Sequence, residues 1–204
     1  MTSQIEIVAM RPRHERAVLL IEQAVNPKPW SAAVLHGELV LTDTREYFVA
    51  MDHNQVVGFG GLMIAVDDAH ITNIGVKPAR QRERIASRLM VTLIDAAWRR
   101  SASALTLEVR MSNTPAQELY RRFGFAPVGA RKGYYQMPDE DALILWAHDI
   151  QGTEYRELVQ QHRRRLEMFE DGTRMSRTIG SNGLVISNSG TVSNSLPVSN
   201  DESA

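Results

Sequence analysis

The densest charge anomaly in the chain is Lys77 to Arg88, where Lys77, Arg80, Arg82, Arg84 and Arg88 face the single acid Glu83. A basic loop feeding a helix suits an anion, most naturally a diphosphate, because a helix start offers unpaired N–H groups and about half a positive charge. Cations between elements are also common as solvated residues, so the cluster alone decides nothing. Further on, Ala104 to Arg110 alternates, with Leu105, Leu107 and Val109 on one side and Thr106, Glu108 and Arg110 on the other. That alternation leaves Glu108 free to face a cleft. An α-amine of pKa ~8 attacks only after losing a proton, which a carboxylate can take. A leaving group often needs a proton, which a phenol of pKa ~10 can give. Tyr120 is such a phenol. Taken singly, Glu108 also reads as an ion-pair partner of Arg110 or a neighbouring strand cation. Tyr120 also reads as core packing beside Ala116 and Phe123, and Asn113 as a residue that merely precedes the helix cap.

The elements that must carry these residues alternate between helix and strand. Ile5 to Ala9 reads as a short strand, and His14 to Val25 and Ser31 to Val40 as helices, with Ser31 a helix cap after Pro29. Strands follow at Tyr47 to Met51, Val56 to Val66 and His70 to Val76, joined by tight turns and so expected to pair antiparallel. From Arg84 to Arg100, Ile85, Leu89, Leu93 and Ala97 form one apolar stripe of a helix. Thr114-Pro115-Ala116-Gln117 combines a cap, an early proline and a capping-box Gln, and Gly124 sits where that helix would stop. Strands at Ala126 to Arg131 and Ala142 to Ile150 finish the unit. The pattern is an α/β (α+β) domain with a sheet of mixed direction.

The order of these pieces carries more than any one of them. Asn73-Ile74-Gly75-Val76-Lys77-Pro78 runs into Gln81-Arg82-Glu83-Arg84-Ile85-Ala86; then come Leu107-Glu108-Val109-Arg110, Ser112-Asn113, Leu119-Tyr120 and Phe123-Gly124-Phe125. From Pro29-Trp30-Ser31 to Ile150 the chain resembles the GNAT superfamily of acyl-CoA-dependent N-acetyltransferases, in particular the bacterial ribosomal-protein alanine enzymes of RimI type. Arg131-Lys132-Gly133-Tyr134-Tyr135 and Glu140-Asp141-Ala142 are similar to that subgroup's paired tyrosines and acidic-Ala ending. The resemblance implies a mostly antiparallel sheet with splayed central strands and acetyl-CoA as co-substrate. It implies that the backbone of Ile74, Gly75 and Val76 holds the pantetheine arm and that Arg82, Glu83, Arg84, Ile85, Ala86 and Ser87 cradle the diphosphate. Asn113 becomes a further cofactor contact, Glu108 the proton acceptor and Tyr120 the proton donor. With the motifs in order, these roles displace the structural readings. Tyr134 and Tyr135 either wall the acceptor groove or pack on the sheet. One departure stands out: Arg84 occupies the first glycine position of the family's cradle. If that position needs positive φ, a side chain there costs on the order of 1 kcal/mol, unless its guanidinium reaches the phosphates.

Composition narrows the classes. The chain has 204 residues, room for one ordinary domain with an appendage. Lys plus Arg is 23 and Asp plus Glu is 24, a net charge of −1, which gives no general attraction to nucleic acid or an acidic membrane. With no cysteine, a disulfide scaffold, a thiolate metal site and a cysteinyl intermediate are excluded, so direct transfer in a ternary complex is the simpler scheme. The six histidines show no metal-ligand spacing, and no metal is expected. No stretch approaches the ~20 apolar residues of a membrane span, and the N-terminus has no apolar signal core, so a cytoplasmic protein is expected. The catalytic domain is expected at 1–150, a helical extension at 151–172 and a disordered Ser/Asn-rich tail at 173–204. That tail repeats Ser-Asn in steps of six from Ser181. The expected activity is acetyl transfer to the N-terminal amine of a protein, by resemblance a ribosomal protein beginning with alanine. A lysine or small-molecule amine as acceptor, and a non-catalytic acyl-CoA-binding module, are the alternatives. Oligomeric state is not legible.

Overall fold

Tight turns force the first strands into an antiparallel succession. In the computed structural model, which describes residues 5–181 and their side chains as far as Phe169, β1 is Ile5–Ala9, β2 Arg45–Asp52, β3 Gln55–Ala65 and β4 Asp68–Val76. Each pairs antiparallel with the next. His53 (φ 54°) and Val66 (φ 57°) turn the two hairpins in left-handed conformations. Between β1 and β2 lie a 3-10 turn at Pro12–His14, α1 at Glu15–Val25 and α2 at Ala32–Val40. Ser31 caps α2 as its sequence position predicts, its hydroxyl accepting the Val34 amide at 3.2 Å. These two helices bury Val18, Ile21 and Leu35 against Tyr47, Val49 and Phe59 on one sheet face.

The other face takes α3, Ile85–Arg99, whose predicted stripe of Ile85, Leu89, Leu93 and Ala97 is fully buried. Burying each of the large aliphatics contributes about 1.5–3 kcal/mol. β5 (Ala104–Arg110), α4 (Thr114–Arg122), β6 (Ala126–Tyr135) and β7 (Glu140–Ala147) follow, and the seven strands order as β1-β2-β3-β4-β5-β7-β6. The one parallel pairing, β4 with β5, joins only Asp68 to Ala104, Ala69 to Leu105 and His70 to Thr106. Beyond that point the strands share no ladder. The β3–β4 register slips there too: Gly61 faces Asn73 and Leu62 faces Ile71, which leaves Thr72 as the extra residue of a bulge. A bulge bends and twists its strand, so it turns β4 where β5 leaves it.

Two helix ends differ from expectation. The cap of α4 is Asn113, whose side chain accepts the Ala116 amide at 3.2 Å; Thr114 is already helical, and Gln117 donates instead to the Arg110 and Met111 carbonyls. Asn outranks Thr as a cap, which is why the start moves back one residue. Gly124 (φ 82°) ends this helix as predicted. The last helix, α5, spans Thr153–Ser181 and so runs past Gly172, the compositional boundary of the expected tail. Arg174, Met175 and Arg177 are good helix formers, and an established helix propagates cheaply. The rest of the predicted tail, including the repeated Ser-Asn pairs after Ser181, lies outside the described residues.

Candidate active site

The alternation of β5 holds in three dimensions: Leu105, Leu107 and Val109 are buried, and Thr106, Glu108 and Arg110 sit on the opposite face. The Glu108 side chain is only 8% exposed, and its carboxylate lies between two cations or potential cations. Oε2 is 3.2 Å from His70 Nε2 and Oε1 is 3.1 Å from Arg131 Nη2. His70 is the last residue of β4 still paired with β5, so Glu108 stands at the fork of the two strands. Burial pulls the His70 pKa below its usual 6.5, against the raising effect of Glu108. Burial thus favours the neutral form of this imidazole. Tyr135 donates its hydroxyl to the Glu108 carbonyl at 3.1 Å and lies under the Arg110 guanidinium at 4.2 Å. Exposed Tyr134 meets Tyr135 edge-on at 5.0 Å. Its phenol is pushed up first by burial and then by the charge of Glu108. Lys28, in the α1–α2 loop, donates to Gln136 in the β6–β7 hairpin at 2.7 Å, joining two loops far apart in sequence.

Tyr120 projects from α4 into the core beside Phe125, with ring centroids 5.8 Å apart. Burial, then the neighbouring Tyr135, raises its pKa well above 10, so the phenol keeps its proton throughout the physiological range. The structure thus places the expected proton donor among core side chains, where burial holds its proton more tightly than on a free phenol. The Asn113 carbonyl oxygen is spent on the α4 cap, which leaves its amide NH2 as the donor end.

The basic loop divides into two parts. Arg80 grips Glu83 with two bonds of 2.8 Å and Asp52 with a third of 2.7 Å, so the Glu83 carboxylate belongs to this clamp and only its backbone faces the loop. Arg82 (φ 69°) and Arg84 (φ 60°) both adopt left-handed conformations that disfavour side chains, each costing roughly 1–2 kcal/mol. The cradle position where glycine was expected thus does require positive φ. The amides of Ile85, Ala86 and Ser87 open α3 directly after these two residues. The Arg84 guanidinium lies 4.8 Å above the Phe169 ring of α5. On β4, Ile74 and Val76 pack toward the Ile85–Leu89 cluster. A Cβ on Gly75 would collide with the Phe59 ring, so a side chain there forces the ring or the strand to shift. Past His70, β4 therefore presents a backbone edge that leads straight to the basic loop. An unpaired strand edge offers backbone groups to an added strand, and a helix start offers amides to an anion.

The pattern of the acetyltransferase (GNAT) family matches residues 12–125. The chain belongs to that family. Among curated GNAT relatives, the [ribosomal protein bS18]-alanine N-acetyltransferase of Haemophilus ducreyi is 37% identical over 130 residues, which cover 61% of this chain and 87% of the relative. The Escherichia coli enzyme of the same name is 34% identical over 130 residues, covering 61% of this chain and 84% of its own. The solved structure of the ribosomal-protein-S18-alanine N-acetyltransferase from Escherichia coli superposes with a TM-score of 0.66 at 28% identity, covering 72% of this chain and 94% of that one. The GNAT match ends before α5 begins.

Other features lie apart from the fork. A cavity of about 950 Å3 opens between α1, the β2–β3 turn and Lys77 to Ala79, and it contains none of the Glu108 cluster. Among the described residues no three His, Asp or Glu gather as a metal set, and no helix is long and apolar enough to cross a membrane. Sequence reasoning missed His70, which looked like a surface or packing histidine, and Glu22, which is buried and holds Asn73 Nδ2 at 3.0 Å, Asn26 Nδ2 at 2.9 Å and the Trp30 amide at 3.4 Å. Glu22 was traceable: it falls in the α1 apolar stripe with Val18, Ile21 and Val25, where a carboxylate needs partners.

Proposed function

We propose that this chain transfers the acetyl group of acetyl-CoA to the α-amine of an N-terminal alanine on a ribosomal protein. The observation that carries the reading is the parting of β4 from β5 at His70 and Thr106 with the Glu108 carboxylate at the fork. The acceptor is inferred from the relatives, at 34% and 37% identity, that are named for that substrate. Acetyl-CoA supplies the electrophile, a thioester carbonyl. The backbone of Ile74, Gly75 and Val76 aligns its pantetheine arm, and the opening amides of α3 with Arg82 and Arg84 hold the diphosphate. Asn113 gives its free NH2 to the same cofactor. Glu108 takes a proton from the incoming amine, with Arg131 and His70 fixing the carboxylate in one orientation. Tyr120 returns a proton to the departing sulfur. Tyr134, exposed beside Glu108, and Tyr135 flank the approach of the peptide. Amides along the bent part of β4 receive the carbonyl oxygen as negative charge grows on it.

Incubation with isotopically labelled acetyl-CoA and a peptide that begins with alanine and also contains lysine tests this directly. Mass spectrometry is expected to find the label on the α-amine. Labelling confined to the ε-amine would overturn the acceptor, and calorimetric binding of acetyl-CoA without turnover would make the chain a binding module.

A further inference from the structure

We propose that Phe169 of α5 is a positioning residue for the cofactor diphosphate, acting through Arg84. The inference rests on the acetyl-CoA reading above and extends it to a helix that lies beyond the family match. The described part of α5 is firmly seated. Tyr155, Val159 and Leu166 are buried, and His162 stacks on Phe123 at 4.2 Å and bonds the Arg122 carbonyl at 2.8 Å. The spacing 155, 159, 162, 166, 169 places Phe169 on that same docked stripe. Arg163 pairs with Asp95 midway along α3, and Phe169 meets Arg84 at its start, so α5 runs antiparallel to α3 toward the anion-binding end.

The stack answers a problem set by Arg84. A left-handed φ of 60° at a cradle position is paid for in backbone strain, yet the residue is not glycine. An unrestrained arginine would also lose rotamer freedom on gripping a phosphate. Stacking fixes the guanidinium by its face while its N–H donors, which lie in the plane, remain directed outward. A flat, pre-oriented fork at the first turn of α3 suits the paired oxygens of a diphosphate. The extension thus converts a strained arginine into a preformed phosphate clamp.

The test is titration calorimetry of the full chain with CoA, beside kinetics with acetyl-CoA and with acetyl-pantetheine, which lacks the diphosphate. Phe169→Ala is expected to raise the Kd for CoA about two- to fivefold, the size of an exposed cation–π contact. It is expected to raise KM for acetyl-CoA equally, and to leave kcat and the acetyl-pantetheine reaction unchanged. Phe169→Trp restores binding. In an Arg84→Gly background the Phe169→Ala change has no further effect. Phe169 is 37% exposed, so the variant folds, and an unchanged melting midpoint verifies it. Unaltered or tighter CoA binding by Phe169→Ala overturns the proposal, as does an equal loss in the Arg84→Gly background or with acetyl-pantetheine. Failure of the wild-type chain to bind CoA overturns the acetyl-CoA reading itself.

Discussion

Glu108→Gln separates proton transfer from architecture, because the substitution keeps the side-chain volume and one acceptor oxygen. Two contacts change. The Arg131 side chain is 56% exposed, so its ion pair with Glu108 is screened and contributes about 0–1 kcal/mol to stability. The other is the contact of His70 Nε2 with Oε2 at 3.2 Å, which then meets an amide in place of a carboxylate. The urea midpoint should therefore move little. The chemistry should not be spared: general-base assistance contributes about 10²–10⁴-fold, or about 3–5 kcal/mol of barrier at about 1.4 kcal/mol per factor of ten. Steady-state kinetics on an alanine-initiated peptide across pH 6–9 measure it. The expected outcome is a kcat lowered at least a hundredfold with a KM for acetyl-CoA within about twofold of wild type. A kcat within about threefold of wild type would refute Glu108 as the base.

Other perturbations probe the scaffold and the cradle. Asn113→Asp keeps the cap but exchanges the donor NH2 for negative charge, so stability should hold while KM for acetyl-CoA rises. Asn113→Ala should also lose about 0.5–2 kcal/mol of stability by chemical denaturation. Gly75→Ala drives a Cβ into the Phe59 ring, and denaturant titration should show a loss of about 1–3 kcal/mol, together with weaker acetyl-CoA binding as β4 shifts. Burial, the leading cause in each case, lowers the pKa of His14, His70 and His162. The unfolded chain takes up protons at about pH 6.5 that these folded sites refuse, so stability is full above about pH 6.5 and is lost as pH falls through the lowered values. The melting temperature should drop between pH 7 and pH 5, and a rise on acidification would contradict these burials.

Local chemistry was readable from the chain because it depends on near neighbours. The β5 alternation, the α3 stripe, the Ser31 cap and the stop at Gly124 each follow from residues within a turn or two, and each appears where the pattern put it. The Arg84 conflict was readable too, since glycine is the residue that positive φ favours. Errors arose where two nearby signals competed. Asn113 and Thr114 both suit a cap, and the residues after Gly172 suit both a helix and a polar tail.

What surrounds Glu108 depends instead on strand order, which no local pattern encodes. His70 reaches the carboxylate because β4 and β5 pair in parallel, with His70 opposite Thr106 and hence two residues from Glu108. Arg131 reaches it from β6, which is not adjacent to β5, by crossing β7. The register puts Arg131 and Arg110 on either side of Ala142, a residue small enough to let the long side chain pass. A bulky residue at 142 would block that path while leaving every motif legible in the chain untouched. The carboxylate's orientation is therefore a property of three strands in a particular order, and its chemistry a property of one alternating segment. That is why the carboxylate on its alternating strand can be read from the sequence and the partners that hold it cannot.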